Sequence, residues 1–130
     1  MPDEVIQINR AMVADTGEPH SLLKPGELEA ACVHPINQWH YGGERSPAVL
    51  GVGLMVALGR AHPFVQGNKR TAFAAAQLLL YANDFFLDVP DVEFIADELR
   101  RAMTGETPEH ILVVLFDEFL RPLGSVALPE

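Results

Sequence analysis

Nine consecutive residues hold most of the groups in this chain that could do chemistry: His62-Pro63-Phe64-Val65-Gln66-Gly67-Asn68-Lys69-Arg70. An imidazole is suited to general-base work near neutral pH. Lys69 brings a compact positive charge, and Arg70 a planar fork able to grip phosphate oxygens. Gly67 permits a left-handed turn in which successive backbone N–H groups converge. Asn68 has the donors either to meet a phosphate or to fix the loop, and Phe64 is expected to anchor the loop in the core. A helix is predicted to begin near Arg70. Its first N–H groups lack partners, and its dipole favours negative charge there. The segment therefore reads as a phosphate cradle with His62 across from it.

Each residue also has an ordinary reading. A histidine at a helix end can be a cap, Gly67 and Asn68 can be mere turn residues, and Lys69 and Arg70 can be solvated charges. Cations at a helix start oppose the dipole, however, and that local conflict favours an anionic ligand that compensates it. Charge elsewhere sharpens the signal. The net charge is −9, so nucleic acid backbones and anionic membranes repel the chain as a whole. Arg60, Lys69 and Arg70 form the local basic cluster expected around His62.

The elements flanking this loop are strongly apolar. Ser46-Pro47 is an N-cap followed by proline at the first helical position, and Ala48 to Ala61 is apolar nearly all round, as in a buried helix. Gly51, Gly53 and Gly59 let neighbours approach closely. His62-Pro63 stops this helix. Arg70 to Ala82 is a second buried helix, ended by Asn83-Asp84. Around this pair, Val5 to Ala14 reads as a first helix closed by Gly17, and Glu18 to Lys24 as a loop. A short helix starts at Pro25. Asp91 to Met103 reads as an amphipathic helix opened by Pro90, with Val92, Ile95, Ala96, Leu99 and Met103 on its stripe. A last helix follows Thr107-Pro108 and runs to about Leu120. The segment Pro35 to Arg45, with Trp39, His40, Tyr41, Gly42 and Gly43, reads as a hairpin or ordered flap. No sizeable sheet is indicated.

The expected fold is all-α, a helical bundle with two buried central helices and a small flap, in a single domain over residues 1–130. At 130 residues such a chain buries roughly two thirds of its unfolded surface. The lone Cys32 allows no internal disulfide and suits a reducing compartment. The longest apolar run is too short to span a bilayer, and no secretory leader is read at the start. Cytoplasmic location is the resulting expectation. His20, His34, His40 and His110 lack the spacing of a zinc site, and no dinucleotide or Walker motif is present.

Residues 62–70 resemble the signature of the Fic/Doc family, His-x-Phe-x-(Asp/Glu)-(Gly/Ala)-Asn-(Gly/Lys)-Arg. The following Thr71-Ala72-Phe73-Ala74-Ala75-Ala76 is similar to the family's helix. Pro25-Gly26-Glu27-Leu28-Glu29-Ala30-Ala31 resembles a segment of the death-on-curing (Doc) branch. The likeness extends over about residues 5–120. It implies a transferase acting from ATP on a protein hydroxyl, with His62 as general base, Gly67 and Asn68 in the anion loop, and Arg70 on the phosphates. Lys69 stands where AMP-transferring members have glycine, and Phe73 where they often have a second arginine. Both resemble the Doc branch, which implies phosphorylation of a translation GTPase similar to elongation factor Tu, under restraint by an antitoxin in trans. The resemblance also implies that the flap at Trp39, His40 and Tyr41 docks the target as an added strand. No inhibitory (Ser/Thr)-x-x-x-Glu-(Gly/Asn) segment occurs in the sequence.

One position departs from the signature. Gln66 stands where the family has the carboxylate that holds Mg2+, and a neutral amide is a poor ligand for a hard cation. Three outcomes follow: activity that survives with weak metal binding, a different donor, or a binding module without catalysis. Beside phosphoryl transfer, the resemblance leaves AMP transfer to a protein hydroxyl as the alternative activity.

Overall fold

The computed structural model describes residues 1–89 and 92–125. Among these the architecture is six helices and one two-stranded sheet, in the order α1 (Pro2–Thr16), α2 (Pro25–His40), α3 (Pro47–Ala61), α4 (Asn68–Ala82), β1 (Phe85–Leu87), α5 (Val92–Met103), α6 (Glu109–Phe119) and β2 (Leu120–Pro122). The fold is an all-α bundle around buried central helices, as the sequence pattern implies. No helix among the described residues is long and apolar enough to cross a membrane.

The centre is α3. Ser46 caps it, its Oγ accepting from the Val49 N–H at 3.3 Å, with Pro47 in the first turn. Its residues from Ala48 to Gly59 are buried except Val49 and Ala57, which are half-buried. Leu54, Met55 and Leu58 are within 2% of complete burial, each contributing about 1.5–3 kcal/mol relative to exposure. Gly53 is what lets α2 come close: a Cβ there would lie 2.6 Å from Gln38 Oε1. Helices α2, α4, α5 and α6 all pack on α3, and α1 packs on α4. Helix α1 closes on Gly17 at φ +74°, where the left-handed turn returns N–H groups to Ala14 and Val13.

Three features correct or add to the expectations; the absence of a sizeable sheet holds. First, α2 continues through Pro35 to His40, where a hairpin or flap was expected over residues 35–45. Proline costs a helix one backbone hydrogen bond. Here Pro35 is buried with Leu28, Ala31 and Cys32 on the face that packs on α3, and that packing outweighs the loss. The chain leaves the helix at Tyr41, and Gly43 takes φ +67°. Arg45 closes the turn: its guanidinium donates to the Trp39 carbonyl at 2.8 Å and lies 3.8 Å from the centre of the Trp39 ring. Trp39, His40 and Tyr41 are exposed, but they sit on a helix end and a turn and offer no strand edge.

Second, β1 and β2 form an antiparallel pair, Phe85↔Pro122, Phe86↔Arg121 and Leu87↔Leu120, that the sequence pattern did not indicate. Gln77 of α4 ties it to the bundle through both its amide ends, at Leu87 N (3.2 Å) and Leu87 O (3.3 Å). Third, the predicted stripe of α5 is only partly as expected. Leu99 is fully buried and Ala102 joins it, while Ala96 is exposed. Pro90, Asp91 and the side chains of Val92, Ile95 and Met103 lie outside the described residues.

Candidate phosphate-binding site

The loop 62–67 joins the two buried helices, and its backbone is held from both sides. His62 ends α3 in a left-handed conformation, φ 49° and ψ 54°, and its N–H returns to Leu58 O at 3.1 Å. Positive φ is uncommon outside glycine, although histidine is among the residues that adopt it more often. Strain of this kind concentrates at functional sites. Pro63 O accepts from Leu23 N (2.8 Å) and Lys24 N (3.2 Å), and Val65 N donates to Ser21 O at 3.0 Å. Phe64 is 1% exposed and anchors the loop in the core, as expected.

Asn68 closes the loop from within. Its Oδ1 accepts from Phe64 N at 3.0 Å, and its Nδ2 donates to Phe64 O at 2.8 Å. The side chain is 6% exposed and committed to the loop. Of the two roles its donors allowed, the side chain takes loop fixation; a phosphate would meet its backbone N–H.

Gly67 is the N-cap of α4 at φ +74° and provides no side-chain cap. The first backbone N–H of α4 to find an acceptor is Thr71, at Gly67 O (2.9 Å). The N–H groups of Gln66, Gly67, Asn68, Lys69 and Arg70 donate to nothing among the described residues. Five consecutive free donors at a positive helix end are suited to an anion. A larger residue at 67 would fail twice. The backbone is left-handed, and a Cβ would lie 3.0 Å from Val13 Cγ1 and 3.2 Å from Asn9 Nδ2.

The basic cluster is smaller than the sequence suggested. Arg60 reaches away to α5, donating to Ala102 O at 3.2 Å. Ala102 O, in the last turn of α5, also accepts from Gly105 N at 3.3 Å. Lys69 is exposed at the loop mouth. Arg70 folds back over α1, paired with the Glu18 carboxylate and donating to Met12 O at 3.4 Å. The Thr16 hydroxyl and then Arg70 hold the Glu18 carboxyl below its ordinary range, against a smaller desolvation effect. Cys32, by contrast, is buried among apolar groups, which pushes its thiol up and leaves it a packing residue.

Three residues behind the loop, Asn9, His20 and Thr71, were given no role at the site by the sequence reading. Asn9 of α1 is fully buried. Its Nδ2 donates to Gln66 O (2.8 Å) and Thr71 Oγ1 (3.1 Å), and its Oδ1 faces His20 Nδ1 at 2.8 Å. His20 also lies against Phe64, their ring centres 5.9 Å apart. The available signal was Asn9 itself. It stands four residues after Val5 and four before Val13, on the stripe of α1 that packs inward, where a polar side chain needs partners.

The sequence model of the Fic/DOC family matches residues 1–80. The chain belongs to the Fic/DOC family. The matched stretch contains α1, the clamping segment 18–24, the loop and nearly all of α4, which are the parts that build the site. The chemistry associated with a Fic/DOC domain is modification of proteins by transfer from a nucleotide. A comparison with curated proteins found no match. At the position that the resemblance assigns to a metal ligand, Gln66 is exposed and neutral, and its backbone carbonyl accepts from Asn9. Among the described residues no three His, Cys, Asp or Glu side chains are grouped to hold a metal ion. The residues present do not fit a resident Mg2+.

Proposed function

We propose that this Fic/DOC domain is a Doc-like protein kinase, moving the γ-phosphoryl group of ATP to a hydroxyl of a translation GTPase similar to elongation factor Tu. The observation that carries the reading is the row of five N–H groups, Gln66 to Arg70, that have no partner among the described residues, with exposed Lys69 in the row and His62 at the head of the clamped loop that precedes it. Those donors suit the oxygens of a polyphosphate, in a site whose geometry is fixed before the ligand arrives. The His62 imidazole takes the proton of the target hydroxyl. The hydroxyl oxygen bonds to the γ-phosphorus, the bond from that phosphorus to the β–γ bridging oxygen breaks, and ADP leaves. Charge on the leaving oxygens is met by the loop amides and Lys69. A phosphate that reaches Arg70 competes with the Glu18 carboxylate for the same guanidinium.

Lys69 and Phe73 favour phosphoryl over AMP transfer. Phe73 lies on the α4 face toward α1 and lines the groove that leads to Lys69 and Arg70, where a second phosphate-binding arginine would otherwise stand. An antitoxin supplied in trans is the proposed restraint, and the cytoplasm the proposed setting.

The test is transfer from ATP labelled separately at the γ and α positions, with cell lysate as acceptor and His62→Ala as control. Label from the γ position on a protein supports the kinase. Label from the α position identifies AMP transfer. The second reading, a binding module without catalysis, draws on Gln66 and on the engagement of Arg70 by Glu18. It gains if neither label moves and expression of wild type and His62→Ala affects growth equally. Gln66→Glu is expected to increase Mg2+-dependent transfer; a variant no faster than wild type counts against a metal at that position.

A further inference from the structure

We infer that Asn9 is a positioning residue that locks the Gln66–Gly67 peptide so that its N–H faces a bound phosphate; this rests on the functional reading above. The trans peptide directs its C=O and N–H in opposite directions. The Gln66 C=O points at Asn9 Nδ2, 2.8 Å away in the buried layer between α1 and α4. The Gly67 N–H therefore points away from α1, toward the open side of the loop. Rotation of that one peptide by half a turn would present a carbonyl oxygen to the phosphate instead. A peptide preceding glycine is the kind most free to rotate, because glycine accepts both signs of φ.

Asn9 cannot itself turn over. Its Oδ1 can only accept, so the Nδ1 of His20, 2.8 Å away, must carry the hydrogen of that bond. Nδ2 then has both hydrogens directed at Gln66 O and Thr71 Oγ1. A reversed amide would set oxygen against the Gln66 carbonyl oxygen. The orientation of the amide is thus set by His20 on the connection after α1 and by the Gln66 carbonyl on the loop; the Thr71 hydroxyl, which can donate or accept, takes the second hydrogen of Nδ2 without choosing between the two orientations.

The experiment measures ATP affinity by calorimetry in wild type, Asn9→Ala and Thr71→Val, with urea unfolding of each. It also follows the Gly67 amide resonance on addition of ATP. Asn9→Ala is expected to weaken ATP binding roughly ten- to hundredfold, the loss of one hydrogen bond to a charged group, and to abolish the Gly67 shift. Thr71→Val removes the other acceptor of the same amide and loses comparable stability. It is expected to bind ATP within about twofold of wild type. If Asn9→Ala does not fold, Asn9→Ser supplies the same comparison. Equal ATP affinity in wild type and the Asn9 variant overturns the lock and leaves the kinase reading standing. Equal weakening in Thr71→Val reduces Asn9 to a stabilising residue and also overturns the lock. A wild type that binds neither ATP nor inorganic phosphate overturns the lock and the functional reading together.

Discussion

Helices α3 and α4 share one core yet begin in opposite ways. Helix α3 starts in the ordinary manner, with Ser46 accepting from the Val49 N–H and proline in its first turn. Helix α4 starts on Gly67 with no side-chain cap, no acidic residue in its first turn, and two cations, Lys69 and Arg70. A serine, threonine or aspartate cap contributes about 1 kcal/mol, and cations at this end oppose the dipole. Both deficits fall on the helix end whose loop is clamped from Ser21, Leu23, Lys24, Asn9 and Asn68. A loop that is held this firmly yet leaves its helix uncapped suits a negative charge from outside, as the proposed function requires.

The contrast is open to direct attack, beginning with the largest effect. His62→Ala is expected to lower transfer of γ label by about 10²–10⁴-fold, the usual contribution of a general base. Its ATP affinity, read by calorimetry, should stay near wild type because the amides after Gln66 are untouched. Gly67→Ala should cost about 1–2 kcal/mol in urea unfolding from the left-handed backbone alone, with ATP binding lost as the Cβ presses on Val13. The matching change at the other helix start, Ser46→Ala, should cost about 1 kcal/mol and leave ATP binding unaltered. Loss of ATP binding there would erase the distinction between the two helix ends.

The smallest effect concerns the Arg70 pair. The Glu18 carboxyl is held below its ordinary value of 4.5. A depressed carboxyl stabilises the fold above the ordinary value, and that contribution disappears as pH falls through the depressed one. Wild type should therefore be slightly more stable than Glu18→Gln at neutral pH, and the two should converge on acidification. The pair is partly exposed, so the difference stays modest. Urea midpoints against pH for both proteins provide the measurement, and parallel curves would remove Glu18 from the pH response.

How much of this was legible in the sequence follows from the range of each interaction. The start of α3 was readable from Ser46-Pro47, and its end from His62-Pro63, because capping and proline act between near neighbours. The position of α1 was readable for the same reason, within a few residues at either end. The extension of α2 through Pro35 was not, since a local rule forbids what burial of Pro35 overrides. The pairing of β1 with β2 joins residues more than thirty positions apart, and its three-residue strands carry no periodicity.

The amino-acid order by itself determined an all-helical chain, two apolar helices around a short polar loop, and the place of His62 and Gly67 in that loop with Lys69 just beyond it. These features depend on residue type and on spacings of one to four, which chain geometry converts directly into faces, caps and turns. Tertiary structure alone decided which donors stay free. It sent Arg60 to Ala102, tied Arg70 to Glu18 and turned Asn68 inward. It also brought Asn9 under Gln66, a hydrogen bond spanning 57 positions of sequence. Such a bond depends on how helices pack in three dimensions, and no local pattern encodes the partner that packing will supply.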